Sequence, residues 1–106
     1  SMVVAQSPHG EFAIMDGHAP LLAVVARGPI RIHTDTETRI FACRSGTLRM
    51  AGGRVVLLVE SAVPIEEIEL SQVRARMTQL EESSDPDRSD EKGHLALLEN
   101  VKERYG

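Results

Sequence analysis

The hydrophobic period of this chain changes at Pro64, and that change limits the folds open to it more than any other feature. From Val3 to about Val63, apolar residues recur near every second position, with frequent turn punctuation. A period of two belongs to strands with one buried and one wet face. Ile30 and Ile32 alternate with Arg31 and His33, and Leu48 and Met50 flank Arg49. Strands are expected over residues 2–5, 11–15, 21–26, 29–34, 37–44, 47–51 and 54–60. Between them lie turn sequences such as Arg27-Gly28, Thr34-Asp35, Ser45-Gly46 and Gly52-Gly53. Val55 to Val59 is continuously apolar and rich in β-branched residues, the pattern of a central strand. Many short strands at regular spacing predict an antiparallel β-sandwich or flattened barrel.

After Pro64 the step lengthens. Leu70, Val73, Met77 and Leu80 are spaced by three, four and three, one stripe of an amphipathic helix, with Ser71 in the position of an N-cap. The polar run from Ser83 to Asp87 ends that helix, and Pro86 suits the first turn of another. Leu95 (or His94), Leu98, Val101 and Tyr105 mark its stripe. Gly93 should weaken this second helix by up to ~1 kcal/mol relative to alanine. The fold class expected is therefore an N-terminal sandwich over 1–65 followed by a C-terminal helical hairpin over 66–106. Two narrow seams can bury against each other and little else, so the hairpin is expected to be only loosely tied to the sandwich.

Size and composition set further bounds. A chain of 106 residues is one domain, or a small domain with an appendage. Aromatics are scarce, Phe12, Phe41 and Tyr105 only, so aliphatic side chains must build the core. A lone Cys43 excludes an internal disulfide and fits a reducing compartment; its setting reads as a buried strand thiol. The longest apolar run, Leu21 to Ala26, is far short of the ~20 residues that cross a bilayer. The N-terminus shows neither a basic start nor a small-residue cleavage site, and Ser1-Met2 reads as a start preceded by one added residue. Residues 1–65 hold six arginines against five acids, whereas 66–106 hold eleven acids against six bases. Such an acidic tail argues against nucleic acid, whose phosphates need a basic footprint. The arginines at 27, 31, 39, 44, 49 and 54 read first as a solvated sheet face, with a partner-facing patch as the alternative.

One segment, Gly10 to Leu22 (GEFAIMDGHAPLL), carries more than pattern. Asp16-Gly17 supplies a tight turn and Pro20 fixes the entry to the next strand. The wording resembles the epsilon subunit family of bacterial and chloroplast rotary ATP synthases, with Ala13 where the family usually has glycine and Met15-Asp16 where it usually has Leu-Pro. The resemblance continues in order through Gly28-Pro29-Ile30-Arg31-Ile32, Phe41 to Leu48, Arg54 to Ala62 and Glu66-Glu67-Ile68-Glu69. Family members carry a further stretch before the position of Val3, enough for a first strand and the start of a second. The chain is thus expected to lack that strand, to leave a sheet edge open and to self-associate through it.

The resemblance implies a non-catalytic central-stalk subunit of a proton-translocating F-type ATP synthase. It implies partners in the gamma subunit and the ring of c-subunits, with alpha and beta reached when the helices extend to inhibit ATP hydrolysis. Glu11, Phe12, Asp16, Gly17 and His18 would form the loop facing the ring or gamma. The implied location is peripheral, on the cytoplasmic face of a bacterial plasma membrane or, alternatively, on a thylakoid, without insertion. Some relatives bind regulatory ATP on the folded hairpin; Leu70-Ser71-Gln72-Val73-Arg74-Ala75 fits that frame with Ser71 in place of aspartate, making Ser71 and Arg74 the possible nucleotide contacts. No other cofactor is implied.

Competing readings start from the same residues. His9, Glu11, Asp16 and His18 fall within ten positions and offer mixed nitrogen and oxygen donors, as in a cupin-like metal protein, but their spacing matches no zinc signature. A free-standing adaptor using the acidic hairpin is the other alternative. No phosphate-cradling G-x-x-x-x-G-K-[ST] loop exists, and Ser45 and Ser61 lack a nucleophile elbow, so no chemistry of its own is expected.

Overall fold

The computed structural model describes residues 2–15, 17, 20–52, 54–82 and 88–106, the side chain of Arg88 excepted. Among the described residues, eight strands precede two helices. In chain order they are β1 (Met2–Ser7), β2 (Gly10–Met15), β3 (Leu21–Val25), β4 (Gly28–His33), β5 (Thr38–Cys43), β6 (Gly46–Ala51), β7 (Arg54–Val59) and β8 (Ala62–Pro64). All pairings are antiparallel, forming a five-stranded sheet of order β2-β1-β4-β5-β8 and a three-stranded sheet of order β3-β6-β7. The sandwich and helical hairpin expected from the period change are both present. The short β8 has no periodic signal; its proline is tolerated because the strand lies at an edge.

Alternation places the core. Ile30, Leu48, Met50, Val3, Ala5, Ile14, Val25 and Cys43 are buried between the sheets, while Phe12, Leu21, Ile32, Phe41, Val55, Leu57 and Val59 close around them. Strand β7 departs from expectation. It pairs with β6 alone, so it is an edge strand rather than a central one. Its burial alternates, with Val55, Leu57 and Val59 turned inward and Val56 and Leu58 exposed.

A single 3-10 turn, Ile65–Glu67, leads into α1 (Leu70–Glu81), which is followed by α2 (Arg88–Tyr105). The first intrahelical bond of α1 runs from the Val73 N–H to the Glu69 carbonyl at 3.0 Å. Glu69, in extended conformation, is therefore the N-cap, and Ser71 sits one position inside the helix rather than capping it. The hairpin lies on the outer face of the five-stranded sheet, α2 contacting β4, β5 and the 3-10 turn and α1 packing against α2.

A second apolar cluster forms there, distinct from the sandwich core. It joins Val73, Leu80, Leu95, Leu97 and Val101 of the helices to Ala42 and Ile68, with Ile40, Val63 and Ile65 packed alongside. The hairpin thus buries more than its own seams. Leu97 is the reason: at 100° per residue it widens the apolar face of α2, from Leu97 round to Leu95, to about 160°, enough to meet both α1 and the sheet. Strand β5 serves both clusters, Phe41 and Cys43 pointing into the sandwich and Ile40 and Ala42 toward the helices. A Cβ at Gly93 would meet the Arg27 guanidinium, the far end of a flexible side chain that can move aside.

Candidate functional site

Three places on this fold could act on a partner. The rim loop is the first. Gly17 has φ +80°, the left-handed conformation that the Asp-Gly turn requires. Asp16 and His18 lie outside the described residues. Glu11 and Phe12 are at the opposite end of β2 from that turn; Glu11 and Met15 are four residues apart, on the order of 13 Å along an extended strand. Glu11 accepts hydrogen bonds from Arg31 at 2.9 Å and Gln6 at 3.2 Å. His9 sits in the β1–β2 turn, where its backbone N–H donates to Ser7 Oγ at 3.1 Å. Among the described residues, then, the Glu11 carboxylate is taken up by local bonds, whereas His9 is held through its backbone N–H. Phe12 borders an open cleft of about 390 Å³ with Pro8, His9, Ala23 and Val24, which leads onto the three-stranded sheet.

The second place is the outer face of that sheet. Leu22 is 72% exposed, Leu58 69%, Val24 60% and Val56 42%. Strand register sets them in two rows, Leu22–Arg49–Val56 and Val24–Thr47–Leu58. Four large apolar side chains, two on each outer strand, flank Arg49 and Thr47 of the central β6 and make this a mainly apolar face, of the kind monomeric proteins usually reserve for binding. The sequence reading did not single this face out. Its signal was there, in two runs, Leu21 to Val25 and Val55 to Val59, that are apolar on both faces although only one face can be inside.

The third place is the polar clasp of the hairpin. Arg44, at the end of β5, donates to Asp90 at 2.7 Å and lies 3.5 Å from Glu60, while Arg27 approaches Asp90 at 4.0 Å. Within the hairpin, Arg76 holds Glu91 through two bonds of 2.6 and 3.0 Å. Arg74 bonds Glu99 at 3.0 Å and Glu103 at 2.6 Å. Lys102 donates to the Ile65 carbonyl at 3.1 Å. These bonds raise the Arg44 and Arg74 guanidinium pKa values further and hold the Asp90 and Glu91 carboxyls below their usual range, through the hydrogen bonds from Arg44 and Arg76 first. Of the two possible nucleotide contacts, Ser71 is exposed in the first turn of α1 and Arg74 is committed to two carboxylates. Burial, with Arg44 and Arg27 nearby, pushes the His94 imidazole down, and its Nδ1 is buried without a hydrogen-bond partner among the described residues.

Cys43 is 2% exposed, and burial lifts its thiol to about 11, so it is not a thiolate at neutral pH. Among the described residues no group of three or more histidines, cysteines or carboxylates converges as a metal site, and no helix is long and apolar enough to cross a membrane.

Comparison with known proteins gives this geometry its context. Residues 1–65 match the family described as ATP synthase, Delta/Epsilon chain, beta-sandwich domain. An ATP synthase epsilon chain of Streptomyces avermitilis is 33% identical over 86 residues, covering 80% of this chain and 69% of the relative. That of Corynebacterium urealyticum is 30% identical over 104 residues, 96% of this chain and 82% of the relative. Against the epsilon chain of Rubrobacter xylanophilus, 35% identical over 80 residues, the match takes in 76% of this chain but only 55% of the relative's length. A chain in the Euglena gracilis mitochondrial ATP synthase (OSCP/F1/c-ring) superimposes with a TM-score of 0.69 at 16% identity, over 97% of this chain and 66% of that one. A chain of the Tetrahymena thermophila central stalk and c-ring gives 0.62 at 13% identity, over 96% and 81%. These two share the fold. Sandwich and sequence relatives together show that the chain belongs to the ATP synthase epsilon-chain family.

Proposed function

We propose that this chain is a non-catalytic part of the central stalk of an F-type ATP synthase, coupling rotation through its sandwich and restraining ATP hydrolysis through its helices. The observation that carries this reading is the opposite treatment of the two outer faces. One is covered by a hairpin held with ion pairs; the other is bare and apolar. A stalk component needs both a permanent docking face and an element with two positions. The gamma subunit is assigned to the bare face, which the cleft beside Phe12 adjoins, and the Gly17 turn at the other end of β2 is assigned to the ring of c-subunits. This puts the chain on the membrane as a peripheral part of a proton-driven complex. Residues 66–106 form the regulatory unit, reaching alpha and beta when α1 and α2 leave the sheet.

In the docked hairpin Arg74 is assigned to holding α1 against α2. A regulatory nucleotide at Ser71 and Arg74 would have to displace Glu99 and Glu103. The open edges β3 and β7 are where self-association would occur. Reconstitution with the cognate alpha, beta and gamma subunits tests the reading. The chain should co-elute with gamma and lower ATP hydrolysis, and Asp90→Asn, which loosens the clasp, should lower it further. Failure to associate with gamma would overturn the proposal.

A further inference from the structure

The bare face is not uniformly apolar, and its charge says what must cover it. Arg49 stands in the middle row, between Leu22 on β3 and Val56 on β7. Arg54 lies at the rim, opposite Ala51. Both are exposed, and neither has an ion-pair or hydrogen-bond partner among the described residues. That sets them apart. Arg27, Arg31, Arg39, Arg44, Arg74 and Arg76 each face a carboxylate, and Arg104 lies over the Tyr105 ring. The carboxylate beside this face, Glu60, is already paired with Arg44. On a chain of net charge −4, the described residues of the face that must become dry on docking include two unmatched cations, Arg49 and Arg54, while Glu60 beside them is paired.

Covering Leu22, Val24, Val56 and Leu58 would seal Arg49 away from water. An unpaired guanidinium there is strongly unfavourable, whereas a carboxylate opposite it gains two parallel charge-assisted bonds. A second copy is a poor occupant, because a two-fold interface would bring this cationic face against itself. Nucleic acid is a poor one too, since aliphatic side chains surround the central charge.

We infer that the partner of this face is a protein surface in which aliphatic residues ring an aspartate or glutamate that takes Arg49, with a second acid reaching Arg54 at the edge. This rests on the stalk reading above and adds the chemistry that the stalk partner must present. All the positions concerned are exposed, so substitutions there leave the core untouched.

The test is the affinity of the full chain for the cognate gamma subunit, measured by titration calorimetry at low and high salt. Arg49→Glu should weaken binding at least about thirtyfold, as for a buried charge pair that loses one member. Arg54→Glu, at the rim, should weaken it about tenfold or less, mostly through the association rate. Wild-type affinity should fall with salt, and that of Arg49→Glu should lose most of this dependence. Leu58→Asp should also weaken binding. If Leu58→Asp abolishes binding but Arg49→Glu stays within twofold of wild type, the face is used without a carboxylate and the inference fails, though the stalk reading survives. If wild type does not bind gamma, the stalk reading itself fails. Dimers of the free chain that bury this face and break up with Leu58→Asp would also overturn the inference.

Discussion

The two outer faces of the sandwich are built from the same kind of strand, yet one is closed and the other open. On the five-stranded sheet, Ile40 and Ala42 are covered by helices that belong to the same chain. On the three-stranded sheet, Leu22, Val24 and Leu58 remain more than half exposed. Charge follows the same division. The arginines around the closed face find carboxylates on the hairpin, Arg44 with Asp90 and Arg74 with Glu99 and Glu103, whereas Arg49 and Arg54 on the open face find none among the described residues. The closed face is satisfied within the chain by contacts that are partly polar and solvent-facing, and so can be undone. The open face can be satisfied only by another molecule. A cover that can lift and a surface that waits for a partner are different physical objects, although strand periodicity makes them look alike.

The contrast breaks most visibly through stability. Leu48 is fully buried between the sheets, and Leu48→Ala should cost about 2–5 kcal/mol in urea unfolding. Leu58→Ser, on the open face, should stay within about 0.5 kcal/mol of wild type while weakening gamma binding. A Leu58→Ser loss as large as that of Leu48→Ala would mean the open face is covered from within.

A smaller effect sharpens the distinction between the two apolar clusters. Leu97→Ala removes the side chain that lets α2 meet the sheet, and should cost about 2 kcal/mol, the low end for such a truncation because the site borders solvent. Amide exchange should rise in α1 and α2 and stay unchanged in β3, β6 and β7. Uniform loosening of all strands would show that the clusters are one cooperative core.

The smallest effect is the response of the clasp to acid. His94 faces Arg27, Arg44, Asp90 and Glu91, and docking holds its imidazole below the ordinary value of 6.5. Docking is therefore at full strength above that value and weakens as pH falls below it, because the undocked imidazole binds the proton more readily. Asp90 and Glu91, held below their ordinary 3.8 and 4.5, give a second loss only in more acidic solution, when those carboxylates are protonated. Exchange in α2 measured from pH 8 down to 4 should show the first step in wild type and not in His94→Gln. The same profile in both would remove His94 from the account.

Much of this fold is legible in the residues. Alternation at Ile30-Arg31-Ile32 and Leu48-Arg49-Met50 marks the inward faces, and the wider step from Leu70 to Leu80 marks the first helix. What periodicity does not reveal is which strand lies at an edge. Val55 to Val59 looks like a strand covered on both sides, because an edge strand whose outer face is apolar has the composition of a central one. The N-cap was also hidden. Ser71 has the better capping chemistry, but burial of Ile68 and the first helical bond to the Glu69 carbonyl fix the start of α1 two residues earlier. Gly93 looks like a weakness along the helix, and the side chain that comes to lie against it, Arg27, is sixty-six positions away. Interactions over that distance leave no local mark. The rim loop was singled out by wording rather than by physics, and its Asp16 and His18 fall outside the described residues.

Hydrogen exchange of the full chain, alone and saturated with the cognate gamma subunit, tests the division between a self-covered and a partner-covered face most directly. Protection should appear in β3, β6 and β7, while β5 and the docked helices keep the exchange rates of the free chain. Protection confined to the helices or to the five-stranded sheet, with the three-stranded sheet unchanged, would contradict it.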